Sequence, residues 1–239
     1  MKNRRRFAGT RYPDDPPALF PESIFSMNEN TKIPISPLGV VLFPSTLLQL
    51  YIFEERYKEM VERCVMTESE FGILFFNEKD SQLCSVGCSA RVTQILKRYE
   101  NGEMDILVEG SRRFHVLELI QRKSYFEAQV EYFEDDESEE VPDDLLGNVL
   151  KSYQDVIKLQ TKGVGAIKGI FDPVHFSFII ASTIDLDLPG KQTLLEITST
   201  TERMRKLDTA LSDTRSRLRE LRAFERHAGS NGHGRHKDK

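Results

Sequence analysis

Apolar positions along this chain recur with two different periods, and the change of period divides it. Between Lys32 and Phe133 they come in short runs bounded by Pro, Gly, Asn and Ser. Runs of that kind predict strands. They fall at Ile33–Ile35, Val40–Phe43, Leu47–Ile52, Phe71–Phe76, Val86–Leu96, Met104–Val108, Arg113–Leu119 and Phe126–Phe133. Asn101-Gly102 stands between two of them, and both residue types tolerate positive φ, so a hairpin is expected there. Roughly eight short strands with close connections predict a closed or nearly closed small barrel rather than a βαβ sheet. One helix interrupts them. From Glu54 to Val65 the apolar residues Tyr57, Met60, Val61, Cys64 and Val65 fall on one face, the stripe of a helix packing on a core.

Beyond Asp143 the period becomes helical. Asp143–Leu159 carries Leu145, Leu146, Val149, Tyr153 and Val156 at helix spacing. Asp172-Pro173 supplies an N-cap and a first-turn proline. The helix it opens, Val174–Ile184, is nearly all apolar and so is expected to be buried. Leu188-Pro189-Gly190 is read as its end and Gln192–Ile197 as a short helix. Ser199 with Glu202 forms a capping box for a last helix reaching about His227. Along that segment Ile197, Met204, Leu207, Leu211, Leu218 and Leu221 fall on heptad positions, a weak coiled-coil signal beside the simpler reading of one amphipathic helix.

Composition and charge refine this division. The chain has 239 residues and a formal net charge of −5. Residues 1–31 begin with five bases before residue 12, continue through Pro13-Asp-Asp-Pro-Pro17 and lack periodicity, which predicts a disordered tail. Arg4, Arg5 and Arg6 also fit an organellar transit peptide, against which Asp14 and Asp15 weigh. Nine acids and no base lie between Glu131 and Asp144, so 136–144 is read as a solvated acidic linker. It separates a β domain, 32–135, from a helical subdomain, 145–227. Thr161–Gly169 reads as a mobile connection, and 228–239 as a second disordered tail. No run approaches ~18 apolar residues, the basic start has no apolar stretch after it, and three cysteines suit a reducing compartment. A cytoplasmic protein is expected. The net acidity argues against a surface-wide nucleic-acid footprint.

Candidate chemistry is sparse. Gly190-Lys191 lacks the rest of a phosphate-binding loop, and the glycines at 163, 165 and 169 have the wrong spacing for a dinucleotide fingerprint. Cys84 and Cys88 approach a zinc spacing, but four ligands are wanted, and Cys64 belongs to a core-facing helix position. His115 and His175 each stand among apolar neighbours, and no nucleophile–base arrangement has local support. No catalytic residue, cofactor or metal ligand is therefore assigned.

Four motifs in order carry a resemblance. They are Ile33-Pro-Ile-Ser-Pro-Leu-Gly-Val-Val-Leu-Phe-Pro44, Leu50-Tyr-Ile-Phe-Glu-Glu-Arg-Tyr57, Val86-Gly87 with Ala90-Arg-Val92, and Val108-Glu-Gly-Ser-Arg-Arg-Phe-His-Val116. Together with Lys191-Gln-Thr-Leu-Leu-Glu196 and Glu202-Arg203, they resemble the N-terminal, substrate-binding domain of Lon proteases over about residues 32–226, in the stand-alone form lacking ATPase and peptidase. Ser45 stands where that family usually has Gly, and Cys88 and Ser89 where Thr and a small or apolar residue are usual. The resemblance implies an α+β fold, a PUA-like β-barrel with one inserted helix followed by a helical bundle. It also implies a non-catalytic protein that binds unfolded or apolar-rich polypeptides, serving a protease in trans.

Several strands are apolar on both faces, so one face needs cover from a helix or a partner. An exposed patch near Phe43, Pro44 and Phe53 is the expected peptide contact. Glu54, Arg56, Tyr57, Glu109, Gly110, Arg113 and Phe114 are read as structural, with a Glu–Arg pair tying the helix to a strand. Nucleic-acid binding by a PUA-like protein is the alternative, supported by 11 bases against 6 acids in residues 201–239. A cryptic hydrolase is the third reading.

Overall fold

The computed structural model describes residues 31–120, 124–136, 140–161 and 172–230, with side chains described through residue 224. Residues 1–30 and 231–239 of the two expected tails and most of the 161–169 connection lie outside the described residues, as does part of the acidic linker, while Thr31 opens β1 and residues 228–230 continue the last helix. Six strands and five helices follow in order: β1 (Thr31–Leu38), β2 (Leu47–Ile52), α1 (Glu55–Met66), β3 (Phe71–Asn77), β4 (Gln82–Arg98), β5 (Met104–Ile120), β6 (Phe126–Phe133), α2 (Asp143–Thr161), α3 (Pro173–Thr183), α4 (Leu188–Glu196) and α5 (Thr200–Ser230). The chain divides into two compact units. One runs to Asp135 and includes Asp187–Thr198, and the other comprises Asp136–Leu186 and Ser199–Lys239.

In the first unit the sheet order is β2-β5-β4-β3-β1-β6, and β6 pairs again with β5. The long strand β5 makes this possible. Its first half pairs with β2, Leu47 opposite Glu109 through Ile52 opposite Met104, and its second half pairs with β6 from Arg113 onward. Two expected strands are thus one, because Gly110 continues the extended backbone instead of breaking it. Val40–Phe43, expected as a strand, is an irregular segment; its apolar run reports burial, not pairing. The hairpin at Asn101-Gly102 is present, with Gly102 at φ 80°.

β3 shows why a strand here can be apolar throughout. Phe71 and Ile73 join a core with Tyr57, Met60, Val61 and Cys64 of α1. Leu74 joins Ile33, Ile35, Phe114, Val116, Phe126, Ala128 and Val130 in a second core. Each fully buried apolar side chain contributes roughly 1.5–3 kcal/mol, so α1 is held mainly by its stripe. The stripe is narrower than expected, since Val65 is 37% exposed. Phe114 has no accessible surface, and a Cβ at Gly72 or Gly87 would stand 2.6 or 2.7 Å from its ring tip. Those glycines make room for it.

In the second unit α2 packs along α5, and α3 also meets α5. Asp172 caps α3 by accepting from the His175 N–H at 2.9 Å, as the sequence predicts. Ser199 Oγ likewise accepts from the Glu202 N–H at 3.0 Å. Arg203 is fully buried, with its Nε donating to Ser177 Oγ at 2.7 Å and its guanidinium 4.1 Å from the Phe178 ring centre. Met204, Leu207 and Leu211 are buried, whereas Leu221 and Phe224 are exposed.

Leu188-Pro189-Gly190 begins α4 rather than ending α3, because Asp187 caps it by accepting from the Gly190 N–H at 2.9 Å. α4 also groups with the sheet unit, as α1 does, and not with α2, α3 and α5.

Candidate functional site

Arg113 explains the placement of α4. Its side chain is 2% exposed and pairs with Asp135, itself 4% exposed. It also donates to the carbonyls of Leu195 at 3.0 Å and Ile197 at 2.6 Å, and lies 4.5 Å from the Phe133 ring centre. A guanidinium supplies several donors in a rigid fork, so one side chain satisfies carbonyls at the end of α4 that have no helical partner. Gln192 adds a second tie, its Nε2 donating to the Val86 carbonyl at 3.1 Å.

The expected Glu–Arg link between helix and strand is made by other residues. Glu54 and Arg56 pair with each other at 2.7 Å, beside the buried Tyr57. Glu109 is exposed on β5. One such link is Glu62 of α1 with Arg98 of β4 at 3.1 Å, and another is Arg63, whose Nη1 donates to Tyr125 Oη at 3.0 Å and Glu127 Oε1 at 3.3 Å. These contacts raise the Arg63 pKa, the bond to Tyr125 contributing most. Sequence reading missed Arg63 because it sits on the polar flank of an amphipathic helix, where an exposed i,i+4 pair with Glu59 looks sufficient.

The expected exposed patch is corrected. Phe43 has no accessible surface, Pro44 is buried, and Phe53 is half-buried, stacked on Tyr51 with ring centres 5.9 Å apart. The segment after Phe43 is pinned to Gly110 by backbone bonds, Ser45 N–H to Gly110 O at 2.8 Å and Gly110 N–H to Thr46 O at 2.9 Å. A Cβ on Gly110 would meet the Phe43 carbonyl oxygen at 2.1 Å. Two motifs far apart in sequence are therefore one structural joint. Ser45 has φ 57°, the left-handed region that glycine adopts without strain.

Accessible apolar surface lies elsewhere on this unit. A groove of about 400 Å³ is lined by Cys64, Val65, Glu68 and Ser69 at the end of α1 and by Arg91–Ile95 of β4. Val65, Met66 and Leu96 are exposed. Glu68, in the left-handed region at φ 51°, ends α1 while the Ser69 N–H reaches back to the Cys64 carbonyl at 3.0 Å, a Schellman-type stop.

Among the described residues the thiols and imidazoles do not assemble. Cys64 and Cys88 are buried and Cys84 is half-buried, and none of the three is in a disulfide. Burial, with Glu196 and Asp80 nearby, pushes the Cys84 thiol up to about 11, and burial pushes Cys88 higher still. No group of three or more His, Cys, Asp or Glu able to hold a metal ion occurs among the described residues. His115 lies 4.3 Å from Phe133, ring centre to ring centre. Desolvation and Arg113 lower its pKa against the opposing pull of Glu131 and Glu196. No helix among the described residues is long and apolar enough to cross a membrane.

Residues 32–213 match the family model described as the ATP-dependent protease La (LON) substrate-binding domain. The chain is 29% identical over 199 residues to a Lon protease of Brevibacillus choshinensis, covering 78% of this chain and 25% of that protein. It is 30% identical over 193 residues to Lon protease 2 of Herpetosiphon aurantiacus, covering 76% and 24% respectively. The chain thus spans about a quarter of the length of these curated relatives. Its fold is similar to the crystal structure of a Lon N-terminal domain protein from Xanthomonas campestris, with TM-score 0.60, 22% identity, and coverage of 74% of this chain and 96% of that one. The N-terminal domain of a Mycobacterium avium complex Lon protease is similar at TM-score 0.58 and 17% identity, covering 77% and 99%.

Proposed function

The chain belongs to the family of ATP-dependent protease La (LON) substrate-binding domains, and on that premise we propose that it is a polypeptide-recognition module that performs no chemistry on what it holds. The family match over most of the chain carries this reading. The ring of strand pairings from β5 through β4, β3, β1 and β6 back to β5 supports reading the first unit as a small PUA-like β-barrel. The unpartnered apolar side chains of Leu47, Val65, Met66, Leu96 and Leu117 on that unit suit contacts that tolerate many client sequences. Unfolding and cleavage of a held client would fall to a protease acting in trans or to another part of a longer protein, in the cytoplasm.

Nucleic-acid binding is less well supported. The exposed Arg91 and Arg98 of β4 are already paired with Glu70 and Glu62 at 3.3 and 3.1 Å, so these two do not form an open basic stripe for a phosphate backbone.

The test is fluorescence anisotropy of a labelled, reduced and carboxymethylated small protein that cannot fold. The expected result is saturable binding without nucleotide and with shallow salt dependence, no cleavage of the reporter, and weaker binding to its folded parent. Phe53 keeps accessible surface, and Phe53→Ser is expected to weaken binding about threefold, equivalent to roughly 0.6 kcal/mol. No binding of the unfolded reporter, or binding lost steeply with salt, would overturn the reading.

A further inference from the structure

The main chain of β4 changes its company at Ala90. Up to that residue β4 pairs with β3, the last pair being Phe71 with Ala90. On its other side β4 pairs with β5 as far as Arg98 opposite Met104. β3 cannot follow, because the chain entering it comes from the end of α1 through the left-handed Glu68. Among the described residues, no strand pairs with Arg91–Arg98 on the side opposite β5. The groove between this edge and the end of α1 has Cys64, Val65, Val92 and Ile95 among its lining.

We propose that the free edge of β4 at Arg91–Arg98 receives an extended segment of a bound polypeptide as an added strand, with an apolar side chain of that segment seated against Val65, Val92 and Ile95. The inference rests on the polypeptide-binding reading above and names where and how the client is held. An unpaired strand edge presents main-chain donors and acceptors, and an extended chain is the occupant that complements them. A helix has already satisfied its own backbone. Sequence-tolerant recognition follows from main-chain pairing, with alternate side chains probing the groove. The charges beside the edge agree, since Arg91 with Glu70 and Arg98 with Glu62 present both signs, which selects against neither acidic nor basic clients. Register shifts between Val92 and Gln94 and between Ile95 and Lys97 twist the edge, as bulges do. They limit flat pairing to a short stretch. The five lining residues of β4 span roughly 17 Å at ~3.4 Å each, enough for about four to six residues of client.

The experiment is hydrogen exchange of the whole chain with and without the carboxymethylated reporter, followed by titration with the heptapeptide Lys-Val-Thr-Val-Thr-Val-Lys and its alternately N-methylated form. Alternate amides within Arg91–Arg98 are expected to exchange about tenfold more slowly with reporter bound, while those of Leu47–Ile52, the outer edge formed by β2, stay unchanged. N-methylation, which removes main-chain donors and keeps the side chains, is expected to weaken heptapeptide binding at least about tenfold. Val65→Lys, at an exposed position in the last turn of α1 where a cation suits the helix dipole, is expected to weaken it while leaving the thermal midpoint unchanged. Reporter binding that protects the β2 edge or the second unit instead, or heptapeptide binding indifferent to N-methylation, overturns this inference and leaves the function standing. Failure of the reporter to bind removes both.

Discussion

At the scale of single residues, Ser45 carries a backbone angle that its side chain disfavours. A non-glycine residue in the left-handed region costs roughly 1–2 kcal/mol, and Ser45 at φ 57° bears that cost to let the turn dock on Gly110. Ser45→Gly is therefore expected to stabilise the protein by about 0.5–1 kcal/mol, after the entropy glycine adds to the unfolded chain. A shift of the urea midpoint at constant slope would measure it, and a destabilised variant would show that the Ser side chain contributes more than the strain costs. His115 sets a pH dependence. Its pKa is lowered in the folded state by desolvation and Arg113, so the unfolded chain binds the proton more readily. Stability is then expected to rise with pH through the window below the ordinary value of 6.5, and to fall on acidification through it. His115→Gln should remove that component from urea midpoints measured between about pH 7 and 5. An unchanged slope would assign the pH dependence to other groups.

Elements in this chain were legible where local rules act alone. α1 follows from its apolar stripe, the hairpin from Asn101-Gly102, and α3 and α5 from the caps Asp172 and Ser199, because each of these signals is written in residues three or four apart. The start of α4 was misread. Leu-Pro-Gly serves equally as a stop after one helix or as the first turn of the next, and only the Asp187 cap distinguishes them. Its place in the sheet unit is held from 82 residues away, by Arg113 on the Leu195 carbonyl. Arg113→Ala would leave the Asp135 carboxylate and the Leu195 and Ile197 carbonyls without that donor in a buried setting. A loss of about 3–5 kcal/mol is expected, with exchange protection falling first in α4. Arg113→Lys should recover only part of it, since an ammonium cannot span three acceptors in fork geometry. Equal protection loss across the whole sheet would show that Arg113 stabilises the unit generally and does not specifically hold α4.

For the whole molecule, the division into a β-rich part and a helical part was visible in the change of apolar period, and four ordered motifs pointed to the family that the comparisons then showed. The candidate surface was not visible. Phe43 and Pro44 stand out in the sequence because they are apolar and belong to a motif, yet those same properties make them interior. The groove beside β4 is built from Val65, Val92, Thr93 and Ile95, residues that no motif marks. A pattern of apolar positions can tell that both faces of β3 need cover, but not whether the cover comes from α1, a neighbouring element or a client.

Taken alone, the amino-acid order settled what depends on neighbours along the chain: helix stripes, caps, the positive-φ turn, and the short motifs by which kinship is seen. The tertiary structure decided what depends on residues distant in sequence: the joint of Phe43–Ser45 with Gly110, the anchoring of α4 by Arg113, the additional pairing of β5 with β6, and the edge of β4 left without a strand partner beyond Ala90. The reason is physical. Burial and strand pairing are properties of surfaces brought together, and a surface left uncovered is defined only once every other element has taken its place.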